Sequence, residues 1–219
     1  PATGAGHIGS PHGTRTYFLP GRVWQNDPDG VSVRAATPLG RARMNAAWTA
    51  ISSQLFYNSD WIPDLPAERL ELLKRTIPAH GLASRPVDLF ENDPAQIWIL
   101  SDTRRQPRRD VVALYNWSES SAARIACPAD RLGLPAADHY VAFDFWADRF
   151  VPPFGKELAM DVPAASCRLL AVRPVSGDPQ LLSTSRHVTQ GIIDVLEEKW
   201  DAAAKTLGGT SRVVAGDPY

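Results

Sequence analysis

Past residue 84 the chain keeps repeating one kind of element. Short runs of β-branched and aromatic residues are cut by Pro, Gly, Asp and Ser about every 8–15 residues, the interval at which antiparallel sandwiches and barrels turn. The runs are "QIWILSD", "DVVALYNWS", "AARIACP", "HYVAFDFW", "ELAMDVP" and "SCRLLAVRPV". Each is too short for an ordinary buried helix, and each is bounded by residues that break regular structure. This half of the chain is therefore expected to be all-β. One stretch is ambiguous. In "GIIDVLEEKWD" (191–201), Ile192, Val195/Leu196 and Trp200 fall at helical spacing, whereas Ile193 and Val195 alternate; periodicity alone favours a helix.

Before residue 84 the texture differs. "RVWQ" reads as a short buried strand and runs straight into Asn26-Asp27-Pro28-Asp29. From Arg41 to Ser53 a helix is predicted, because Met44, Ala47/Trp48 and Ile51 recur at i, i+3/i+4, i+7 and form one apolar stripe. "QLFYNSD" (54–60) is a second strand-like run, and it too ends in a polar, acidic turn, Asn58-Ser59-Asp60. A second helix follows. Pro66 suits its first turn, Glu68 sits near its positive end, and Leu70, Leu73 and Ile77 line one face. Pro78 and Gly81 stop it. Residues 20–80 thus read strand–helix–strand–helix, two β/α units, too few to close a barrel. In β/α barrels the loops after the strands carry the chemistry. The shift in composition places a domain boundary near residues 80–86.

The other features mostly exclude. The chain has 219 residues, 44% of them apolar, enough for one large domain or two small ones. A net charge of −1 argues against nucleic acid or an anionic membrane as the main partner. The basic run Arg104-Arg105-Gln106-Pro107-Arg108-Arg109 reads as a solvated loop. No apolar run approaches the ~20 residues of a membrane-spanning helix. Cys127 and Cys167 have no metal-ligand spacing and form no disulfide framework. They read as buried thiols, or as a pair across neighbouring strands. "GAGHIG" matches a dinucleotide-binding fingerprint only formally, since that motif needs a strand before it and a helix after it. His7 and His12 lack a third ligand nearby. No His/Asp/Glu cluster has ligand spacing, so neither metal nor cofactor is expected. The chain begins at Pro1 and stops at "AGDPY", just after a turn signal, and so reads as a piece of a longer polypeptide.

The motifs, taken in order, resemble a known group. "WQNDPDGVSVR" followed by "AAWTAISSQLFYNSD" is similar to the end of the catalytic barrel in α-galactosidase-like glycoside hydrolases, families 27 and 36 and their relatives. "RPVDLFE", "VVALYNWS", "LGL", "FDFW", "SCRLLAVRP" and "PQLLSTSRHVTQG" resemble the C-terminal β-sandwich domain of the same enzymes. The likeness covers about residues 20–200. It implies an α/β part, the last two β/α units of a (β/α)8 barrel over residues 1–83, followed by an antiparallel β-sandwich over residues 84–219. It implies retaining hydrolysis of a terminal α-galactose-type sugar by two Asp residues, one the nucleophile and one the acid and then base. In the family both lie on earlier barrel strands, and residues 1–20 contain no Asp or Glu. The pair is therefore expected upstream of this chain. The resemblance also implies strands, not a helix, over residues 186–200.

Carried over residue by residue, the resemblance gives a modest site. Asp29 matches a position that lines the sugar pocket, where a carboxylate accepts hydrogen bonds from hydroxyls. Asp27 matches a residue that braces the loop, and Asp60 an acidic position of the rim. Trp24 and Trp61 flank the two loops and could stack on a sugar face; core packing is the plain alternative. Gln25 and Gly30 depart from the family pattern, which bears on sugar selectivity. Taken alone, Asp27 and Asp29 would be an Asx turn before a proline-set bend, and Asp60 a turn or helix cap. His139 and His187 are expected to be structural, and the carboxylates of "DVLEEKWD" to form a solvated face. The implied partners are a glycoside substrate and the rest of the barrel. Oligomeric state stays open, a homo-oligomer included, as does the compartment, secreted, periplasmic or cytoplasmic. The competing reading is a carbohydrate-binding or interaction module without catalysis.

Overall fold

The computed structural model describes residues 14–26, 31–52 and 55–217. Its frame is a six-stranded antiparallel sheet. The strands are β1 (Arg85–Pro86), β2 (Ile97–Asp102), β3 (Arg109–Asn116), β5 (Tyr140–Asp144), β6 (Arg149–Phe154) and β8 (Ser166–Pro174), in the spatial order β1-β2-β3-β8-β5-β6. β4 (Ala123–Pro128) and β7 (Glu157–Val162) form a separate ribbon, and β9 (Val195–Asp201) and β10 (Thr206–Ser211) a hairpin. The α-helices named here are α1 (Leu39–Ile51), α2 (Ala67–Lys74) and the single turn α3 (Ala129–Leu132), and a 3-10 turn spans Ile62–Asp64.

Both faces of the sheet are covered, and the pleat sorts the side chains between them. On one face Val111, Ala113 and Tyr115 of β3, Trp98 and Leu100 of β2, and Cys167 and Leu169 of β8 meet Met44, Ala47, Trp48 and Ile51 of α1. On the other, Val112, Leu114, Leu170 and Val172 meet Ile125 and Cys127 of β4, Leu158 and Val162 of β7, and Leu132 of α3. β3 is therefore buried along its whole length, which is why "RDVVALYN" reads as a continuous run and not as an alternation. β4 keeps the alternation, because its outer face meets water.

α1 is buried on two sides. Its apolar stripe lies on the sheet, and Ala42 and Ala46 pack with Val31, Val33, Leu72 and Leu73 in a third cluster. Four alanines and a glycine permit this closeness. A side chain at Gly40 would come 3.3 Å from the carbonyl oxygen of Ala165 in the β7–β8 turn. One core thus runs across the compositional boundary at residues 80–86, with Trp48 edge-on to Trp98, Tyr115 and Trp117 at 5.0–5.6 Å.

The six strand runs past residue 84 and both helices before it are found where the sequence places them. The second helix is shorter than expected and ends at Lys74. "RVWQ" and "QLFYNSD" form no ladder among the described residues. Pro20 and Trp24 make one isolated bridge, and Val31 and Asn58 another, both parallel. Periodicity misjudged residues 191–201. The strands that the resemblance implies over 186–200 are found only in part: residues 188–194 are turns, and β9 is a strand from Val195 to Asp201 whose outward residues alternate toward solvent. β6 and β10 escaped notice because "RFVPPF" carries two prolines and "TLGGTS" is nearly all exposed. Proline is tolerated in β6 because it is an edge strand.

Candidate active site

Asp27, Asp29 and Gly30, like His7, His12 and "GAGHIG", lie outside the described residues. What brackets the acidic motif is well defined. Asn26, 7% exposed, accepts a hydrogen bond from the Trp24 indole at 3.0 Å and donates to the Thr16 carbonyl at 3.2 Å. Its own carbonyl accepts the N–H of Leu55 at 3.0 Å. On the far side of the motif, Val31 donates to the Tyr57 carbonyl at 2.9 Å and accepts from Ser59 at 3.2 Å. Asn26 and Val31, on either side of the motif, are thus both bonded to the same stretch, residues 55–59. Asn26 and Val31 are thereby held beside the second acidic turn, and α1 lies between Val31 and that turn in the chain.

Asp60 sits at this junction. Its side chain is 1% exposed, and its carboxylate accepts the backbone N–H of Val33 at 2.5 Å, the Arg34 Nε at 2.6 Å and the Ser32 hydroxyl at 3.3 Å. Asn58 clasps the Asp60 carbonyl at 2.6 Å, and Asn45 of α1 clasps the Ser32 carbonyl at 3.1 Å. The carboxylate therefore locks the chain after the acidic motif to the second turn. Trp24 and Trp61, the two aromatic candidates, are 54% and 72% exposed. Phe18, Val23, Leu55, Tyr57 and Ile62 are also exposed large apolar residues of these segments. Both stretches therefore carry several exposed large apolar side chains. Among the described residues no cluster of three or more His, Cys, Asp or Glu could hold a metal.

The buried cysteines and histidines are structural. Cys127 and Cys167 are free and buried in the two opposite cores, and burial pushes their thiols up to about 11 and about 12. His187, 1% exposed, takes the N–H and hydroxyl of Thr189 on Nδ1 at 3.0 and 2.8 Å. His80 bonds the Ala50 carbonyl at 2.7 Å, at the end of α1. Burial lowers both imidazoles to about 4, so they stay neutral at pH 7.

Two expectations need correction. Arg109 does not belong to a solvated loop, and Glu198 is not on a solvated face. Glu198 accepts Arg109 Nη2 at 2.6 Å, Arg173 Nη1 at 2.9 Å and the Leu181 N–H at 2.9 Å, in a triad whose side chains are 7–11% exposed. The pairing brings together positions far apart in sequence, and no local pattern announces it. Arg104 and Arg105 do lie at the surface, as expected for the loop.

No protein-family model matches the sequence, and no curated protein does. Solved structures do match in fold. The chain shares its fold with part of an α-galactosidase. The β-L-arabinopyranosidase of family GH27 from Geobacillus stearothermophilus aligns with a TM-score of 0.62 at 16% identity, over 77% of this chain and 41% of that one. α-Galactosidase I from Mortierella vinacea aligns with a TM-score of 0.58 at 16% identity, over 74% of this chain and 43% of its own. The α-galactosidase of Saccharomyces cerevisiae gives 0.54 at 13% identity, over 69% and 47%. The chain therefore spans less than half the length of these enzymes. Its mostly-sheet architecture with few helices corresponds to the C-terminal domain of the α-galactosidase fold.

Proposed function

We propose that this chain is the C-terminal portion of a retaining glycosidase acting on terminal α-linked galactose-type sugars. Residues 1–83 supply the last two β/α units of its (β/α)8 barrel, and residues 84–219 its β-sandwich. The observation that carries the reading is the clamp around "NDPD". Asn26 and Val31 hold both ends of the acidic motif against residues 55–59, in parallel and with α1 between them, as neighbouring strand ends of a barrel rim would stand. The shared fold supports it. The two sugars named by the similar structures also agree, because L-arabinopyranose is D-galactose without the C5 hydroxymethyl group.

In this reading Asp29 faces the pocket and accepts sugar hydroxyls, Asp27 braces the turn, Asp60 fixes the rim, and Trp24 offers a stacking face beside it. The nucleophile and the acid/base come from barrel strands outside this chain. A retaining double displacement needs those two carboxyl groups ~5–5.5 Å apart, the acid with a raised pKa. The exposed surface of Trp24, Leu55, Tyr57 and Trp61 is where the rest of the barrel and the sugar would lie.

The test compares the isolated chain with the chain joined to its upstream segment, assayed on aryl α-galactosides. The joined protein is expected to hydrolyse them and the isolated chain not to. Asp29→Asn in the joined protein is expected to lower kcat/KM by roughly 10–100-fold, the worth of one charge-assisted hydrogen bond of ~1.5–3 kcal/mol. Equal hydrolysis by the isolated chain would show that the catalytic pair lies within it. Glycoside binding without turnover by the joined protein would favour a binding module.

A further inference from the structure

One cavity lies far along the chain from the proposed rim and shares no residue with it. It is an open cleft of about 500 Å³ between the β9–β10 hairpin, the end of β8 and the turn that precedes β3. Trp200 and Leu207, directly opposite each other in the hairpin, line it, as do Gln106, Arg108, Arg173 and Gln180. Volumes of about 300–1,000 Å³ suit small-molecule ligands, so there is room for one or two sugar rings.

The polar groups of the cleft are unequally committed. Glu198, at its base, is saturated: both carboxylate oxygens already accept arginine or backbone N–H groups. The arginines are not saturated. Arg173 spends only Nη1, on Glu198 and the Leu181 carbonyl. Arg108 spends Nε and Nη2 on Asp110, Ser101 and the Gly133 carbonyl. Nε and Nη2 of Arg173 and Nη1 of Arg108 meet no acceptor among the described residues. The cleft thus offers guanidinium donors without a free acid to answer them, next to a flat indole and an aliphatic wall. A ligand that fits has an apolar ring face for Trp200 and an anionic acceptor group for the arginines.

We propose that this cleft is a second carbohydrate site, selective for acidic sugars. A hexuronate stacks its C–H face on Trp200 and turns its carboxylate to Arg108 and Arg173, while Gln106 and Gln180 meet ring hydroxyls. A neutral pyranose of the same shape keeps the stacking and loses the charge-assisted contacts, which fixes the order of preference. The site needs no residue of the rim and no catalytic activity.

The experiment follows the Trp200 indole N–H resonance of the ¹⁵N-labelled chain during titration with tri-galacturonate, and with a neutral galactose trisaccharide as the control. Tri-galacturonate is expected to shift that resonance at millimolar concentration, at least ten times more tightly than the neutral sugar. Raising the salt from 50 to 500 mM is expected to weaken it several-fold, by screening. Trp200→Ala, which removes that reporter, is followed instead through the backbone amides of Arg108 and Arg173 and is expected to abolish binding. Because that change could also disturb the hairpin, Leu207→Glu provides a second arm. It adds a like charge to the partly exposed cleft wall and is expected to weaken binding at least ten-fold in a chain whose amide spectrum is otherwise preserved. No shift by 50 mM tri-galacturonate, equal affinity for the neutral sugar, or unchanged binding by a folded Leu207→Glu variant each overturns the proposal.

Discussion

The sheet and the stretches beside the two acidic turns, the rim of the proposed barrel, treat the same residue types in opposite ways. Trp98 of β2 is wholly buried, edge-on to Trp48 and roofed by α1, whereas Trp61, beside the second acidic turn, is 72% exposed. Every strand of the sheet finds its partner within the chain, while the stretches at 20–31 and 55–60 make isolated bridges. Yet the polar contacts of the rim are as definite as those of the sheet: Asn26, Asn58 and Asp60 each make short, specific hydrogen bonds. The difference teaches that the sheet is stabilised by its own apolar burial. The rim is a shaped surface whose apolar side still faces outward.

Acid should have the largest effect, through two buried histidines. His80 and His187 are held neutral, with pKa values of about 4 against an ordinary 6.5, because burial disfavours the charged ring. Between these values the unfolded chain binds more protons than the folded one. The stability is therefore complete above pH ~6.5 and lost as the pH falls toward 4. At its steepest the loss approaches ~2.7 kcal/mol per pH unit for two protons. Urea midpoints measured from pH 7.5 to 4 check this, and a flat profile would contradict it.

Trp98→Ala is the next largest change and should cost about 3–5 kcal/mol, the range for emptying a packed aromatic site. Asp60→Ala should cost about 1–3 kcal/mol, because it strands the buried Val33 N–H and releases Arg34. It should also raise hydrogen exchange at Val33. Trp61→Ala, the same chemical deletion as at Trp98, should change the stability of this chain by less than ~0.5 kcal/mol. Denaturant titration of the last three variants tests the comparison directly. A large loss at Trp61 would mean that the rim is cored like the sheet.

The sheet was largely legible because its runs carry local signals: β-branched residues in short stretches, cut by turn formers. α1 was legible for the same reason, since Met44, Trp48 and Ile51 keep the helical period. What escaped depends on partners distant in sequence. Glu198 alternates like a surface residue of β9 and is buried only because Arg109 and Arg173 come to meet it. "GIIDVLEEKWD" suited a helix by spacing, but pairing with β10 decided for strand. At the rim, Asp60 could be read as a turn residue, yet nothing in sequence shows that its carboxylate reaches back to Val33. Asp27 and Asp29 carry their meaning only through what stands around them.

The position of β8 has a consequence for synthesis. It fills the centre of the sheet, between β3 and β5, although it follows β3 by about fifty to sixty residues, a separation that slows closure. A chain emerging from the ribosome therefore holds β3 with one edge unpaired, and with apolar side chains on both faces, until residues 166–174 are made. Fragments that stop between residues 116 and 166 should aggregate, and those that reach residue 174 should be the first to remain in solution.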